Sequence, residues 1–388
     1  MRDRLIVLFT NIWLDHYAGT EVVVRDLALG LMARGHRPIV YSPTVGAIAR
    51  FLTQQGVVVV DDIRLIAETP HIIHAHHAIP GGEALIRFPD VPAINMCHAF
   101  AHWVEAPLHF PQIGAYVAVD DACRDRLVHS HGIDPARVLV LPNAVDLKRV
   151  PPRTRLLPQR PQRAVVFGKA ARVAETIRAA CKAASIDCSV ISYDAGHVSY
   201  QPEKELIDFD LVFGSGRCAL EALCCGCAVI VCDERGIGGL VTPENFSAFR
   251  AKNFVIRSFT GPVTAERLSE SIAQYDCVAA AAASAQARRE ADLSKLLDAL
   301  EALYADVLTG TRKPTITRQA YEAAVTQFLH DYLPRRPTDP RQPWTQGQDD
   351  TTGAALSSAL HDLEVLKRSR LLKLGRRLRR LLGLPVPY

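Results

Sequence analysis

The sequence predicts an α/β protein with two doubly wound domains that face each other across a cleft, followed by a helical tail. Short apolar runs alternate with amphipathic helical patterns over the first 150 residues, and the same alternation starts again near residue 164. A segment rich in proline and arginine separates the two blocks. Strands that alternate with helices indicate βαβ units and a parallel sheet, so each block predicts one such domain.

The composition fits a soluble globular protein with two sizeable cores. The chain has 388 residues, of which 48% are hydrophobic and 22% charged. No apolar window reaches 18 residues, and the N-terminal apolar run is too short for a signal peptide or a membrane span. Ten cysteines without a secretory signal predict reduced thiols in the cytoplasm.

The net charge of +4 comes from the end of the chain. Residues 367–388 hold eight Lys or Arg and no acidic residue, which leaves a net charge of −4 on residues 1–366. A mildly acidic body argues against nucleic acid as a partner.

The first domain is predicted over residues 1–150. Its helix signal is clearest in "EVVVRDLALGLMARG", where Val23, Leu27 and Leu31 share one face and Gly35 marks the end. Its predicted strands are "LIVLFT" (5–10), "PIVYS" (38–42), "VVVV" (57–60), "HIIHA" (71–75), "PAINMC" (92–97) and "AYVAV" (115–119).

The second domain is predicted over residues 151–310, after a linker at 142–163 that lacks apolar periodicity. Its predicted strands are "AVVFG" (164–168), "CSVIS" (188–192), "LVFG" (211–214), "AVIVCD" (228–233) and "NFVI" (253–256). Ligands of such sheets bind at the carboxyl ends of the strands, so the cleft is the expected site.

The chain ends in two further predicted segments. Residues 311–350 are polar and rich in Pro, Thr and Gln, which predicts a linker. Residues 351–388 contain Leu371, Leu374 and Leu378 among arginines and lysines, the pattern of a basic amphipathic helix. We expect residues 360–388 to lie on an anionic membrane surface. The alternatives are a solvated helix and a helix packed on the body through its leucines.

Four motifs, in order, resemble the GT-B glycosyltransferases of the family 4 type. They are "AGTEVVVRDLALGLMARGHRPIVYS" (18–42), "HIIHAHH" (71–77), "VAVDDACRDRLVHSHGIDPARVLVLPNAVD" (117–146) and "DFDLVFGSGRCALEALCCGCAVIVCD" (208–233). The resemblance covers roughly residues 5–305. It implies two Rossmann-like domains and transfer of a sugar from a UDP- or GDP-linked donor to an acceptor hydroxyl.

Transfer of this kind leaves negative charge on a diphosphate, which backbone amides at helix N-termini stabilise well. Gly19 and Thr20 open the first helix, and Gly19 matches the glycine loop of the family. In the second domain Gly214, Ser215 and Gly216 open a helix, with Ser215 as a candidate N-cap. A glycine turn that merely begins a helix is the alternative.

Charged side chains near these turns complete the predicted donor site. Lys169 and Arg172 follow the first strand of the second domain, close to where the family places phosphate-binding cations, and Arg217 follows the second turn. Glu221 matches the last glutamate of the Glu-x₇-Glu motif, which binds the ribose of the nucleotide. The alternative for Glu221 is a salt bridge to Arg217, four residues earlier on the same helix.

His98 matches the family histidine that lies beside the donor sugar, and it is the predicted catalytic residue, with His102 and His109 as nearby alternatives. The histidines at 71, 74, 76 and 77 do not predict a metal site, because neighbouring strand residues point to opposite faces. No metal or other cofactor is expected. The cysteines at 224 and 227 form a single C-x-x-C pair and are interpreted as packing residues.

The sequence departs from the family at one functional position. Ser215 and Glu221 are six residues apart instead of eleven, and Phe213 stands where the first glutamate of the motif would contact the transferred sugar. The main prediction is a metal-independent hexosyltransferase that acts on a cell-envelope or lipid-linked glycan at the cytoplasmic face of a membrane. The alternatives are a sugar-nucleotide epimerase or phosphorylase of the same fold, and an inactive relative that serves as a membrane-associated interaction module.

Overall fold

The computed structural model describes residues 4–15, 17, 19–192, 199 and 201–332. The predicted tail at 351–388, with its proposed membrane role, lies outside these residues. Within them, no helix has both the length and the apolar character that crossing a membrane requires.

The N-terminal half alternates strands and helices as the periodicity predicts. Its elements are β1 (Ile6–Thr10), β2 (Trp13–Leu14), α1 (Gly19–Ala33), β3 (Arg37–Tyr41), β4 (Thr44–Val45), α2 (Ala47–Gln54), β5 (Val58–Val60), β6 (Ile72–His76), α3 (Ala78–Arg87), β7 (Ala93–Cys97), β8 (Ile113–Ala118), α4 (Asp121–Asp125) and β9 (Val138–Val140).

Seven of these strands form one parallel sheet in the order β5-β3-β1-β6-β7-β8-β9. Its central strands read as continuous apolar runs because helices cover both faces, and β1, β6, β7 and β8 are buried throughout. From β1 the chain adds β3 and β5 on one side of the sheet, and from β6 it adds β7, β8 and β9 on the other side. The carboxyl ends of β1 and β6 are therefore where a ligand of a doubly wound sheet binds.

The C-terminal half repeats the pattern with a smaller sheet. Its elements are β10 (Arg163–Phe167), α5 (Ala174–Ala183), β11 (Asp187–Ile191), α6 (Pro202–Leu206), β12 (Leu211–Gly214), α7 (Gly216–Cys224), β13 (Ala228–Asp233), β14 (Gly236–Leu240), α8 (Pro243–Ala251), α9 (Ala265–Ala273), α10 (Cys277–Glu290), α11 (Leu293–Thr309) and α12 (Arg318–Tyr332). The sheet order is β11-β10-β12-β13-β14, parallel except for β14.

The predicted strand at 253–256 is wrong. Asn253 and Phe254 have positive φ angles of 52° and 55°, and a short 3₁₀ helix starts at Ile256. Positive φ is incompatible with an extended strand, so "NFVI" forms a turn that brings the Phe254 carbonyl to the start of α7.

The range predicted for the second domain extends too far, because α11 belongs to the core of the first. Leu297, Leu300 and Tyr304 are buried among the first-domain apolar residues. A Cβ on Gly30 of α1 would lie 2.6 Å from the Leu297 side chain, so glycine permits this close approach. The helix periodicity near residue 300 was visible, but the sheet on which the helix packs was not.

The segment predicted as a polar linker at 311–350 contains α12, so that prediction is wrong for residues 318–332. Phe328 is the buried residue of this helix, and Val325 and Tyr332 on the same face are partly buried against the first core. A Cβ on Gly82 of α3 would lie 2.1 Å from the Phe328 ring, and Phe110 meets the same ring edge to face at 5.7 Å. Apolar residues thus recur at helical spacing, but the composition of residues 311–350 as a whole favoured a linker.

Asp210 in the "DFD" sequence has a structural role. Its carboxylate accepts hydrogen bonds from Arg155 Nη2 at 2.8 Å and from the backbone N–H of Gln162 at 2.9 Å. The residue is 1% exposed. Asp210 thereby holds the proline- and arginine-rich segment against the start of β10.

Candidate functional site

The N-terminus of α1 lies at the carboxyl end of the first sheet, as the glycine turn predicts. Gly19 is exposed, and a Cβ on it would meet nothing within 4 Å, so space is open around this turn. The Thr20 hydroxyl donates to Glu21 Oε2 at 3.0 Å, and Glu21 is buried. The site thus offers backbone amides at Gly19, while the Thr20 side chain is already engaged.

The turn between β12 and α7 occupies the equivalent place in the second domain. Gly216 has a φ of +56°, a conformation that glycine adopts readily, and its N–H donates to the Phe254 carbonyl at 2.9 Å. Ser215 stands at the N-cap position, but its hydroxyl donates to Asp233 Oδ2 at 2.8 Å and makes no capping hydrogen bond. The prediction of Ser215 as a side-chain cap is therefore wrong, because the buried Asp233 carboxylate competes for its proton.

An ion pair joins the two domains at this turn. Arg217 Nη2 of α7 donates to Asp26 Oδ2 of α1, and the two side chains are 8% and 4% exposed. Asp26 also accepts from Arg25 Nε at 2.8 Å. Burial alone would raise the pKa of the Asp26 carboxyl, but Arg217 and Arg25 bring it below its ordinary value. Asp26 is therefore an ionised carboxylate held between two guanidinium groups.

Glu221 lies one helical turn beyond Arg217 and is bound by two arginines. Its Oε1 accepts from Arg217 Nε at 3.1 Å and from Arg149 Nη2 at 3.3 Å. Arg149 also pairs with Glu203 of α6. The salt bridge between Arg217 and Glu221, which the sequence left open as an alternative, is thus present in the structure.

These residues form what we call the interdomain charge cluster: Arg25, Asp26, Arg149, Glu203, Arg217 and Glu221. Three guanidinium groups and three carboxylates alternate within it, and five of the six side chains are less than 10% exposed. Each arginine has hydrogen-bond donors beyond those that one carboxylate can occupy. The cluster can therefore exchange a carboxylate for another anion, such as a phosphate, without leaving an arginine unpaired.

His98 follows β7 and is partly exposed at the carboxyl end of the first sheet. Its Nε2 lies 2.7 Å from His76 Nδ1, and its backbone N–H donates to Glu105 Oε2 at 2.8 Å. Burial of the ring lowers the pKa of His98 to about 4, although the nearby Glu105 carboxylate opposes this effect. The imidazole is therefore neutral at physiological pH.

The other two predicted phosphate-binding cations, Lys169 and Arg172, make fewer ion pairs with described residues than Arg217 does. Lys169 is exposed and makes no ion pair with a described residue. Arg172 is also exposed, and its Nη1 lies 3.7 Å from Glu234 Oε1. Both follow β10 on the 3₁₀ turn that Gly168 begins, so they belong to the same edge of the sheet as Gly214.

Several members of the site were missed from the sequence. Asp26 lies seven residues after Gly19, which is two helical turns along the same face, so a charge inside the apolar pattern of α1 was a usable signal. Arg149 stands in the segment without periodicity and carried no signal. The same is true of Glu105 and Glu203, whose roles depend on long-range contacts.

The position at which the family has its first glutamate does not face the cleft in this protein. Phe213 is fully buried in β12, where its side chain packs in the core of the second domain. The cysteines at 224, 225 and 227 are buried as well, and burial raises the pKa of Cys224 and Cys227 to about 12. Within the described part of the chain, no three His, Cys, Asp or Glu side chains are grouped so that they could hold a metal ion.

Comparisons with known proteins identify the fold and the family of the N-terminal half. Residues 17–149 match the family model described as Glycosyltransferase Family 4. No curated protein matches the chain significantly. Among solved structures, a glycosyltransferase from Rickettsia africae ESF-5 aligns with a TM-score of 0.56 at 13% identity, over 80% of this chain and 100% of the other.

Two further structures share the fold. HepE (Alr3699) of Anabaena, solved in complex with UDP and glucose, has a TM-score of 0.56 at 13% identity, over 78% of this chain and 100% of the other. A putative UDP-N-acetylglucosamine 2-epimerase from Listeria monocytogenes has a TM-score of 0.51 at 13% identity, over 81% and 99%. The chain thus has the GT-B fold, and its residues 17–149 match Glycosyltransferase Family 4, which confirms the resemblance for the three motifs between residues 18 and 146.

Proposed function

We propose that the protein is a glycosyltransferase that transfers a hexose from a nucleoside-diphosphate sugar to an acceptor hydroxyl. The observation that carries this proposal is the contact of Arg217 with Asp26. It brings the start of α7 in the second domain next to α1 of the first, and both helices open with glycine turns at the carboxyl ends of strands. Two such turns on opposite sides of one cleft suit a diphosphate between them.

Each predicted residue has a role in this proposal. The amides at Gly19 and Thr20 face the diphosphate, while Gly214 and Gly216 let the second turn approach it closely and Ser215 is held in place by Asp233. Arg217, Lys169 and Arg172 supply the positive charge that the leaving nucleoside diphosphate requires, so the proposal needs no metal cofactor. Glu221 accepts hydrogen bonds from the ribose hydroxyls, and His98 contacts the transferred sugar.

Binding of the nucleotide requires an exchange of partners within the interdomain charge cluster. A diphosphate takes the place of Asp26 at Arg217, because a charged guanidinium–phosphate hydrogen bond replaces the guanidinium–carboxylate hydrogen bond from Nη2. Glu221 remains paired through Arg149 when it turns one oxygen toward the ribose. The buried charges thus stay compensated, which keeps the cost of the exchange small.

The acceptor in this proposal is a glycan of the cell envelope or a lipid-linked glycan. The support is the basic amphipathic sequence at 360–388, which suits an anionic membrane surface at its cytoplasmic face. The acidic character of residues 1–366 leaves that segment as the part of the chain most able to bind such a surface.

The first test is a panel of UDP-, GDP- and CMP-sugars, with thermal stabilisation and calorimetric heat as the measurements. We expect at least one donor to bind, and Glu221→Gln to weaken that binding about 10- to 100-fold, since a hydrogen bond to a charged group is lost. Arg217 keeps Asp26 and Arg149 keeps Glu203 in this variant, so the fold is preserved.

Glu175→Gln is the matched control, because Glu175 is 91% exposed on α5 and pairs only with Arg178 among the described residues. This control is expected to bind like the unaltered protein. If no donor in the panel gives heat or stabilisation, the proposed activity is wrong. If a donor binds with equal affinity to the Glu221 variant, the ribose role is wrong.

Two alternative functions make different predictions. A sugar-nucleotide epimerase or phosphorylase, favoured by the fold shared with the Listeria protein, would convert the donor without any acceptor glycan. An inactive interaction module, favoured by Phe213 at the closed glutamate position, would bind a membrane or partner but turn over no donor. Donor turnover with and without acceptor therefore distinguishes the three.

A further inference from the structure

Three histidine rings form a buried column behind the donor side of the first domain. His74 and His76 are two residues apart on β6 and therefore share one face of the sheet, with ring centroids 4.5 Å apart. His76 and His98 stack at 4.9 Å with an angle of only 11° between the rings. His98 is partly exposed, so the column reaches the ligand side only at this residue.

Two separate hydrogen bonds involve the rings of the column. The Tyr304 hydroxyl of α11 lies 2.6 Å from His74 Nδ1, and His76 Nδ1 lies 2.7 Å from His98 Nε2. Between two neutral imidazoles, one nitrogen must carry the proton and the other must accept it. The pair of His76 and His98 therefore has two possible arrangements, and each gives His98 a different tautomer.

The rings are neutral because His74 and His76 are fully buried and the His98 ring is largely removed from water. Burial lowers the pKa of His74 to about 3, that of His98 to about 4, and that of His76 well below its ordinary value. The charged and titratable groups that act on the column are Glu105, His77 and Arg217, and only Glu105 favours a protonated His98.

The environment of His76 Nε2, the ring nitrogen that is not bonded to His98, determines which of the two arrangements is favoured. His76 Nε2 is buried and has no hydrogen-bond partner among the described residues. A proton on Nε2 would be a buried donor without an acceptor, which is among the rarest and most costly states in folded proteins. An unshared electron pair on Nε2 is tolerated more easily. His76 therefore carries its proton on Nδ1 and donates it to His98 Nε2.

We propose that His76 is a positioning residue that fixes His98 in the tautomer with its proton on Nδ1. His98 then presents a neutral N–H donor to an oxygen of the ligand and acts neither as a base nor as a cation. Such a donor strengthens its hydrogen bond as negative charge grows on a sugar or phosphate oxygen, and no proton has to be transferred. This ligand role rests on the proposed glycosyl transfer, whereas the tautomer itself does not.

The tautomer can be measured directly in the intact, unaltered protein. Long-range ¹H–¹⁵N correlation spectra of protein labelled with ¹⁵N-histidine distinguish a protonated ring nitrogen from a bare one, and a His98→Asn sample assigns the signals. We expect His98 to show a protonated Nδ1 and a bare Nε2, unchanged between pH 8 and pH 6. A bare Nδ1 on His98, or a doubly protonated ring at pH 7, would overturn the proposal without any variant of His76.

Two substitutions at His76 then test its role as the cause. His76→Gln retains a donor and should preserve the His98 tautomer. His76→Phe retains an aromatic ring of similar size but has no donor for His98 Nε2. The hydrogen bond that excludes a proton from this nitrogen is then lost, so the share of His98 with its proton on Nε2 should rise. An unchanged tautomer in a folded His76→Phe protein would contradict the positioning role. His129→Gln is the control, since His129 is 72% exposed.

Kinetics connect the tautomer to the proposed function. With a donor found in the nucleotide-sugar panel, we expect His76→Phe to lower kcat about tenfold with little change in KM, and His76→Gln to restore most of that loss. Failure of every donor to bind would refute the proposed function while the spectra still decide the tautomer. The correct tautomer with an unaltered kcat in His76→Phe would refute the contribution of His98 to the reaction.

Discussion

At the scale of single residues, His74 and His76 link the stability of the protein to pH. Both imidazoles are fully buried, and neither Nε2 has a partner among the described residues. A buried ring must stay neutral, whereas the same ring in the unfolded chain is protonated below its ordinary pKa of about 6.5. The unfolded state therefore binds more protons than the native state on the acidic side of this value.

This difference predicts a loss of stability between pH 6.5 and pH 5. The free energy of unfolding should fall by up to about 1.4 kcal/mol per pH unit for each of three rings. The native pKa is about 3 for His74, about 4 for the neighbouring His98, and well below the ordinary value for His76. Carboxylates titrate mainly below this window. Urea unfolding at pH 7.5 and pH 5.0 measures the change.

The matched variant for this prediction is His74→Phe, which keeps a ring on β6 but removes one titrating group. Its stability should fall less steeply with decreasing pH, by up to about 1.4 kcal/mol per pH unit, because one histidine with a lowered pKa is removed while His76 and His98 remain. Loss of the partner of Tyr304 lowers its overall stability as well. His129→Gln should show the unaltered slope. A His74→Phe protein with the same slope would mean that the titration resides elsewhere.

At the scale of secondary-structure elements, helices were easier to predict than their packing partners. The periodicity of α1 identified this helix, because a helix with one buried face has apolar residues at regular spacing. The apolar runs of β1, β12 and β13 identified these strands, because both of their faces are buried. α11 showed the same periodicity, but nothing in its sequence states that it returns to the first domain. α12 also has apolar residues at helical spacing, Tyr321, Val325, Phe328 and Tyr332, but the polar composition of the surrounding segment favoured a linker.

The predicted helix at 360–388 can be tested as a separable element, although it lies outside the described residues. We expect the full chain to sediment with vesicles that contain anionic lipid, and removal of residues 360–388 to abolish this, because about 1 kcal/mol per Lys or Arg is lost. All residues proposed for the donor site precede this segment. Nucleotide binding should therefore be unchanged in the shortened chain.

Neutral vesicles and high salt serve as controls for this electrostatic effect. Substitution of Arg376 and Arg377 by glutamate should weaken sedimentation while the length of the chain stays the same. Sedimentation of the shortened chain at the level of the full chain would contradict the membrane proposal. It would favour one of the alternatives, a solvated helix or one packed on the body.

At the scale of the whole molecule, the sequence predicted the architecture because parallel sheets impose strong local patterns. The cleft followed from the rule that ligands bind at the carboxyl ends of such strands. The partners within the cleft could not be predicted in the same way. Glu221 was found through its motif, but Arg149, 72 residues earlier in the chain, contacts it only because of the fold. Asp26 and Arg217 are separated by 191 residues.

Arg217 cannot pair fully with both Asp26 of the first domain and a bound diphosphate, so the domain contact and the anion compete for this arginine. The variant Asp26→Asn tests this competition. Without the carboxylate, Arg25 and Arg217 become buried cations with one partner fewer, so the ligand-free protein should be less stable, with a lower Tm. A bound diphosphate restores a counter-charge to Arg217. We therefore expect UDP or GDP to raise the Tm of Asp26→Asn by more than it raises the Tm of the unaltered protein.

The pair between Arg257 and Asp125 provides the comparison that separates this effect from a general weakening of the domain contact. It also joins the two domains, at 2.8 Å, but Asp125 is 40% exposed and lies outside the interdomain charge cluster. Asp125→Asn should therefore leave the nucleotide-induced change in Tm as it is. An equal change in both variants would show that the nucleotide does not replace Asp26 at Arg217. A larger change in Asp26→Asn alone would mean that the interdomain ion pair occupies the phosphate-binding arginine until the donor arrives.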